Sequence, residues 1–470
     1  MTSQNMRQEN PEHKLTPSSL ESEKLRNLYV KIALPMAFGM VLSGLYNMVD
    51  AYFIAQYVGD IGFAAVSAIF PLQMLVIALG AFISNGVSIV VSQYWGAGQN
   101  SKAQTVINNA FTLVLLLSIV LAILVLSATS PLLRSSGVTD LLFDDARAYF
   151  IPVTMGAVLV LSLSLITDLL RAQTKMQSLL LIIILGAVSN VILDYLFIAV
   201  FNFGVSGAAY ATIICQLMGL LLGIRLLNNP TPLLSIEKLS FALNFGIIKK
   251  FLSIGMPVFI SYFGAAVVMV FINTRISQSD LIGSTQWLAA YGIVSRINIF
   301  LILPLIAISH ASQTIIAHNY GAKNFLRVKN AAITGAFMAS SYLAVMTLCL
   351  QVFPRQIITV FSPQESVLAD SETIIGTMFM LLPLAGVSAI CIAFFQATGR
   401  AKKAMLLSSA QIYVFLLPAM IFISAKFELS ALWYAFPLTH VLSALLAISL
   451  VWTHLHRLIP QSLGSMEEKA

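Results

Sequence analysis

The chain has 470 residues, of which 58% are hydrophobic and only 10% are charged, and its mean hydropathy is +0.89. Soluble domains carry about 25% charged residues, so this composition excludes a soluble protein with a large core. The formal net charge of +7 would suit a nucleic-acid ligand. The distribution of the basic residues along the chain follows a membrane topology instead, and no nucleic-acid partner is expected.

The first 27 residues are polar and of mixed charge, with neither an apolar core nor a small-residue cleavage site, so no cleavable signal peptide is expected. Beyond them the chain is dominated by apolar runs that reach the roughly 20 residues needed to cross a bilayer as a helix. These runs are too long and too continuous for the strands of an outer-membrane barrel, which take about 10 residues each. The sequence therefore predicts an all-α membrane protein with twelve spans: 28–55, 62–92, 104–128, 146–170, 177–200, 207–227, 251–276, 286–318, 329–352, 373–398, 404–425 and 431–455.

The predicted spans fall into two groups of six. A cytoplasmic tail (1–27) precedes the N-lobe (28–227), and the C-lobe (251–456) is followed by a second cytoplasmic tail (457–470). Between the lobes, residues 228–250 are polar and contain two prolines, which predicts a cytoplasmic linker.

Basic residues are concentrated on one side of this topology. Three clusters lie there: Lys238/Lys249/Lys250, Lys323/Arg327/Lys329 and Arg400/Lys402/Lys403. The opposite side carries Arg134, Arg147, Arg275, Arg355 and Lys426. An excess of Lys and Arg marks the cytoplasmic face of a membrane protein. We therefore expect a multi-pass protein of the cell inner (plasma) membrane with both termini in the cytoplasm.

The two halves also match each other at a fixed offset. Gln-Tyr-Trp-Gly-Ala at 93–97 corresponds to His-Asn-Tyr-Gly-Ala at 318–322, and residues 170–175 correspond to 395–400, both 225 positions later. Since each half has an even number of spans, both halves begin on the same side of the membrane. This is a parallel repeat, and its substrate and ion sites are expected near the midplane between the halves.

Two aspartates lie inside predicted spans, where an ionisable side chain costs about 2.5–3.5 kcal/mol to insert. Asp50 is past the middle of the first span, with Asn47 one turn earlier. Asp194 holds a similar depth in the fifth span, with Asn190 four residues before it on the same helix face. Thr212 in the sixth span adds a hydroxyl.

Carboxylates supported by amide and hydroxyl oxygens suit two kinds of chemistry. Two nearby acids can share one proton, because desolvation and like charge both oppose full ionisation. The same oxygens can ligate a hard monovalent cation such as sodium. The alternative is a structural hydrogen bond between two helices. The second half has Ile272 and Ala419 at the equivalent positions, so the acids occur in one half only, which favours a functional role.

Two further charges lie in or near spans. Asp168 precedes Arg171 by three residues at the cytoplasmic end of the fourth span, which predicts a structural or gate-related ion pair. Arg296 lies deeper in the eighth span, where it would counter a carboxylate, contact substrate or form an interhelical ion pair.

The sequence contains no pattern of an enzyme. The glycines near Gly96 lack the Gly-Lys-Ser/Thr ending of a phosphate-binding loop, which excludes an ATP-driven pump within this chain. The six histidines are scattered and the three cysteines fall in apolar segments, so neither a metal site nor another cofactor is expected.

Together these features resemble the multidrug and toxic compound extrusion (MATE) family. The resemblance is carried by Pro35 and residues 47–50, by 93–97 with its repeat at 318–322, by 170–172 with 395–399, and by Asn190 and Asp194. It implies twelve helices in two six-helix lobes that form a V, and a cation-coupled exporter. It also implies small organic cations or drugs as substrates, in a lipid bilayer, by a protein expected to be a monomer.

One branch of that family carries its carboxylates in the C-lobe, on the seventh and tenth spans, where this sequence has none within residues 254–276 and 373–398. The chain therefore resembles the DinF-like branch, which implies that Asp50, Asn190, Asp194 and Thr212 form a site for a proton or sodium ion. In that branch protonation is associated with bending of the first helix. Pro35 would serve as the hinge, because proline removes a helical hydrogen bond.

Two other functions remain open from the sequence. A flippase of lipid-linked oligosaccharide shares the same frame, although such proteins carry more cationic residues in the cavity than the single Arg296 found here. A membrane scaffold without transport activity would leave the one-sided acids unexplained.

Overall fold

The structure is a computed structural model that describes residues 19–228, 240–278, 284–359 and 365–467. Within these ranges every regular element is a helix. Ten helices are long and apolar enough to cross a membrane, and the number reaches 12 when each of two bent helix pairs is taken as one span. The prediction of twelve spans is thus confirmed, and we number them 1 to 12.

The N-lobe contains spans 1 to 6, preceded by the short helix Ser19–Ser22. Span 1 is Leu25–Phe53 continued by the π-helical segment Ile54–Val58, span 2 is Asp60–Gly96, and span 3 is Asn100–Ser135. Span 4 consists of Phe143–Met155 and Ala157–Ala172, after the 3₁₀ turn Asp140–Leu142. Span 5 is Met176–Asp194 continued by the π-helical segment Tyr195–Val200, and span 6 is Val205–Asn228.

The C-lobe repeats this order. Span 7 is Phe245–Ser277, span 8 is Ser284–Gly321, and span 9 is Phe325–Val352, followed by the short helix Pro354–Thr359. Span 10 consists of Glu365–Met378 and Pro383–Ala397. Span 11 runs through Ala401–Ser409, the π-helical segment Ala410–Leu416 and Leu417–Lys426, and span 12 is Ala435–Glu467 after the 3₁₀ turn Leu429–Tyr434.

Spans 4 and 10 hold equivalent places in the repeat and are both broken. The two pieces of span 4 are bent by 49° and those of span 10 by 54°. Pro152 lies near the break in span 4, and Pro383 begins the second piece of span 10. Proline removes a helical hydrogen bond, which explains why both helices bend at these places.

Several predicted boundaries differ from the observed helices. The end of the predicted linker, residues 245–250, forms the first turns of span 7, where the Asn244 side chain accepts hydrogen bonds from the backbone of Gly246 and Ile247. The helix of span 12 continues to Glu467, so most of the predicted tail 457–470 is helical. Hydropathy marks the end of an apolar segment, whereas helical hydrogen bonding continues beyond it. Pro230, Pro232 and Lys238 of the linker lie outside the described residues.

The hydrophobic core shows how the lobes are arranged. One cluster combines both lobes, with Val90 of span 2 and Ile315 of span 8 among its members. A second cluster belongs to the C-lobe alone and contains Trp433, and a third belongs to the N-lobe alone and contains Ile54 and Ile198. The lobes are therefore joined at one end and separate at the other, which is the predicted V.

The joined end is the end that carries the basic turns, and glycines allow the backbones to meet there. A Cβ atom on Gly96 would overlap the carbonyl of His318, and one on Gly321 would overlap the carbonyl of Gln93. These two contacts are related by the internal repeat. Small residues at helix crossings permit such close approach in membrane proteins.

The N-terminal segment strengthens this end. The Leu20 carbonyl accepts from Asn319 Nδ2 at 3.0 Å and from Arg327 Nε at 2.8 Å. Glu21 Oε1 lies 3.0 Å from His318 Nε2. Residues before span 1 are thus bound to the opposite lobe, although the sequence predicted only a tail here.

Candidate functional site

Asp50 and Asp194 come together inside the N-lobe. Their side chains lie within hydrogen-bonding reach of each other across the interface between spans 1 and 5. Asp194 is 0% exposed and Asn190 is 3% exposed, while Asp50 is half-buried with its Oδ1 enclosed. The structure therefore places the two acids and Asn190 in one buried group.

Each aspartate lies just before a π-helical segment. Asp194 is the last residue before Tyr195–Val200, and Asp50 lies one turn before Ile54–Val58. The two segments contact each other, and the rings of Phe53 and Tyr195 lie 6.4 Å apart between them. π-Helical segments interrupt regular hydrogen bonding and occur often at functional sites. The sequence carries no simple signal for them.

The acid group is rich in acceptors and poor in donors. Among the described residues, no hydrogen-bond donor reaches Asp50 Oδ1, Asn190 Oδ1 or either carboxylate oxygen of Asp194. A buried polar atom without a partner costs free energy of about 1–3 kcal/mol, and more when it is charged. Four such acceptors in one place are the chemistry that suits a proton or a cation.

Four other predicted or neighbouring side chains surround the acids. Tyr149 of span 4 interacts with Thr212, which places the predicted hydroxyl beside this group, and with Gln73 of span 2. Tyr46 lies near both aspartates from span 1. Tyr46, Gln73 and Tyr149 were missed by the sequence analysis, because aromatic and amide side chains at helical spacing do not stand out in an apolar chain.

Asn47 lies one turn before Asp50 on span 1, and its amide turns back onto its own helix. Its side chain is exposed, and Nδ2 donates to the Ser43 carbonyl of the same helix at 2.6 Å. Pro35 lies inside Leu25–Phe53, which continues through it as one helix. The roles predicted for Asn47 as a ligand and for Pro35 as a hinge remain predictions.

The C-lobe positions that the repeat relates to Asp50 and Asp194 carry apolar residues and lie in apolar surroundings. Ile272 is fully buried in the C-lobe cluster, and Ala419 packs against the same cluster. The acid group thus has no counterpart at the repeat-related place, and the asymmetry seen in the sequence is also present in the packing.

Asp168 forms the predicted ion pair. Arg171 Nη2 lies 3.0 Å from Asp168 Oδ1, and Ser84 Oγ donates to Asp168 Oδ2 at 2.7 Å. The pair lies at the joined end of the lobes, where Arg171 also contacts His310. Asp168 is therefore separate from the acid group, in a position suited to a gate.

Arg296 is exposed on span 8, in the lobe opposite the acids. It shares a helix face with Phe300 and Leu303, whose side chains would lie 3.6 and 3.5 Å from a Cβ atom on Gly44 of span 1. This face is turned toward the N-lobe. The four ion pairs formed within the described ranges do not include Arg296, so the structure favours neither of the predicted ion-pair roles.

Comparisons with known proteins agree with this architecture. The family model described as MatE matches residues 35–196 and 254–421, one match in each lobe. A probable multidrug resistance protein, YoeA of Bacillus subtilis, is 24% identical over 425 residues, which cover 88% of this chain and 90% of that protein. The multidrug export protein MepA of Staphylococcus haemolyticus is 23% identical over 445 residues, covering 93% of this chain and 96% of that protein.

Solved structures show the same fold. A structure described as the outward-facing conformation of a multidrug resistance MATE family transporter superposes with a TM-score of 0.87. The alignment covers 96% of this chain and 100% of that chain at 23% sequence identity. The two-lobed V is thus the fold of known transporters.

Proposed function

Because the chain belongs to the MATE family, we propose that it exports amphipathic organic cations across the cell membrane in exchange for protons, with sodium ions as the alternative coupling ion. The proposal combines the family, whose relatives YoeA and MepA carry multidrug resistance and export in their names, with the chemistry of the acid group.

The observation that carries the proposal is the donor-poor acid group of Asp50, Asn190 and Asp194. Such a site can exist in two states, one with a bound positive species and one without it. Coupling requires these two states. The direct approach of the two carboxyl groups favours a proton, because a single proton can bridge two carboxyl oxygens. A sodium ion would instead be coordinated by the carboxylate oxygens together with the side-chain oxygens of Asn190 and Thr212.

The shape of the molecule supports the direction of transport. The V is closed at the end that carries the basic turns and open at the other. By the positive-inside rule the closed end faces the cytoplasm. The conformation is then outward-facing, in which substrate leaves and an external cation enters. Both termini lie in the cytoplasm in this orientation, and we place the chain as a monomer in the inner (plasma) membrane.

The cation and the substrate occupy different places in this scheme. The acid group lies within the N-lobe, whereas the open cleft lies between the lobes, with Arg296 on its C-lobe side. Loading of the acid group removes negative charge from the N-lobe wall of the cleft. An organic cation in the cleft is then held less strongly, because its Coulomb attraction to the wall falls.

The test is efflux of cationic dyes from proteoliposomes that contain the purified protein. A proton gradient and a sodium gradient are imposed separately, across a small panel of dyes. We expect dye movement driven by the proton gradient and unaffected by sodium. Dye movement driven by the sodium gradient alone would show that sodium, and not the proton, is the coupling ion. Dye movement that follows neither gradient would contradict coupled export. The absence of dye movement would also contradict it and would favour a flippase or a scaffold.

A further inference from the structure

A second polar cluster lies where the two lobes meet, apart from the acid group. We call it the interlobe cluster, and its members are Asn85 of span 2, Arg171 of span 4, His310 and Gln313 of span 8, and Gln396 of span 10. Arg171 is 0% exposed, and Asn85, Gln313 and Gln396 are at most 4% exposed. Buried polar side chains within a membrane protein are costly and therefore point to a role.

Arg171 is held in its own lobe and reaches into the other. Its Nε donates to Asp168 Oδ1 at 3.1 Å within the N-lobe. From there Nη1 lies 2.7 Å from His310 Nδ1 and 3.1 Å from Gln313 Oε1, both in the C-lobe. A guanidinium group only donates, so the neutral tautomer of His310 with its proton on Nε2 is the form whose Nδ1 accepts from Arg171.

The amide side chains complete the connection. Asn85 Nδ2 donates to Gln313 Oε1 at 2.8 Å, which is a third bond between the lobes within this cluster. Gln313 Nε2 donates to Gln396 Oε1 at 3.0 Å, and Gln396 Nε2 donates to the Ile254 carbonyl at 2.9 Å. The C-lobe amides are thus fixed within their own lobe and present Gln313 Oε1 to both Arg171 and Asn85.

The cluster lies on the axis that relates the two halves. Asn85 and His310 are separated by the repeat offset of 225 residues and lie 3.4 Å apart. Arg171 and Gln396 are related by the same offset. Residues that face each other across the lobes must move apart when the lobes separate at this end. Their contacts therefore distinguish the conformation in which this end is closed from the one in which it is open.

We propose that Arg171 and His310 form an interlobe latch that holds the closed end and sets the ratio between the outward-open and inward-open states. Separation of the lobes removes His310, Gln313 and their hydrogen bonds from Arg171, which leaves the guanidinium paired with Asp168 alone. Both residues are positioning residues for the transport cycle and do not bind the coupling ion. The role as a transport latch rests on the proposed function, but the latch itself is measurable without transport.

The experiment measures distances between spin labels in the full-length protein in nanodiscs, after its three free cysteines are replaced by alanine. Exposed positions at the closed end are labelled in one pair, Lys102→Cys with Lys402→Cys. Exposed positions at the open end are labelled in another pair, Thr139→Cys with Glu428→Cys. If the lobes rock, the distance between the labels must increase in one pair and decrease in the other.

The main variant is His310→Leu, which removes the acceptor and leaves the Arg171–Asp168 pair intact. We expect the ratio of inward-open to outward-open molecules to rise about tenfold, as expected for the loss of one hydrogen bond to a charged group. His310→Asn retains an acceptor oxygen and should restore most of the original distribution. Ser309→Ala is the matched control, because the Ser309 hydroxyl bonds the Leu305 carbonyl of its own helix.

Unchanged distances at both ends in His310→Leu would overturn the latch, whatever the effect on efflux. If that variant fails to fold, Asp168→Asn combined with Arg171→Gln removes the buried charge pair and gives the same test. The absence of dye movement by the unsubstituted protein would contradict the proposed function while leaving the distance measurement decisive for the latch.

Discussion

Asp50 and Asp194 face each other inside the N-lobe, each within one turn of the π-helical segment that follows it in spans 1 and 5. A π-helical segment breaks the regular pattern of backbone hydrogen bonds, and such segments occur often at functional sites. A change in the charge of this pair therefore acts where the hydrogen bonding of spans 1 and 5 changes. This arrangement gives a local route from cation binding to a change in helix shape.

Replacement of Asp194 by Asn should reduce proton-driven dye efflux at least tenfold, because an amide cannot change its charge when it is buried beside Asp50. The measurement is the initial efflux rate in proteoliposomes at equal protein content. Ser67→Ala is a control in the same lobe, since the exposed Ser67 hydroxyl bonds the Phe63 carbonyl of its own helix. Efflux by Asp194→Asn at the rate of that control would contradict a coupling role for Asp194.

Asn190→Ala separates the two coupling ions. If the proton bridges the carboxyl groups, loss of the amide should slow efflux only a few-fold, because a neutral hydrogen-bonding group contributes about 1 kcal/mol. The same variant should abolish transport if sodium is bound, because a ligand is lost. Initial rates under separate proton and sodium gradients decide between these results, and a complete loss accompanied by sodium dependence would refute proton coupling.

Gly321→Ala should destabilise the closed end, because the added methyl group would overlap the Gln93 carbonyl of the opposite lobe. Overpacking of this kind costs about 1–3 kcal/mol. We expect a lower unfolding temperature for the purified variant. Gly292→Ala in the same span is the matched control, since a Cβ atom there would meet nothing within 4 Å. Equal unfolding temperatures for both variants would show that the lobes do not meet at Gly321.

Arg327→Met should release the N-terminal segment from the C-lobe. The variant loses the bond from Arg327 Nε to the Leu20 carbonyl, which is a hydrogen bond to a charged group. Such a bond contributes about 1.5–3 kcal/mol, so amide hydrogen exchange in residues 19–23 should accelerate at least tenfold. Lys323→Met, at a nearby exposed position, should leave this exchange unchanged. Slow exchange in both variants would mean that Arg327 does not hold the segment.

The twelve spans, the two lobes and the one-sided aspartates could be predicted from the sequence because each leaves a local or periodic signal. Apolar length predicts a span, a fixed offset predicts a repeat, and an acid in an apolar run is conspicuous. The meeting of Asp50 and Asp194 could not be predicted in this way, because matching depths do not make spans 1 and 5 neighbours.

The interlobe cluster could not be predicted in the same way. His310 and Gln313 lie in a span that already contains several polar residues, and their significance depends on which residues face them across the lobes. Asn85 and His310 are related by the repeat offset but are different residue types, so comparison of the two halves does not reveal that they correspond. The π-helical segments after Asp50 and Asp194 were missed because they depend on how spans 1 and 5 pack against each other.

The measurement that tests the central claim most directly is proton movement coupled to substrate. Proteoliposomes with a trapped pH-sensitive dye receive an outward-directed gradient of a cationic substrate and no initial pH gradient. We predict that substrate leaving the liposomes drives proton entry, and that Asp50→Asn and Asp194→Asn abolish this proton entry while still binding substrate. Proton entry of unchanged size in either variant would contradict the assignment of the aspartate pair as the coupling site.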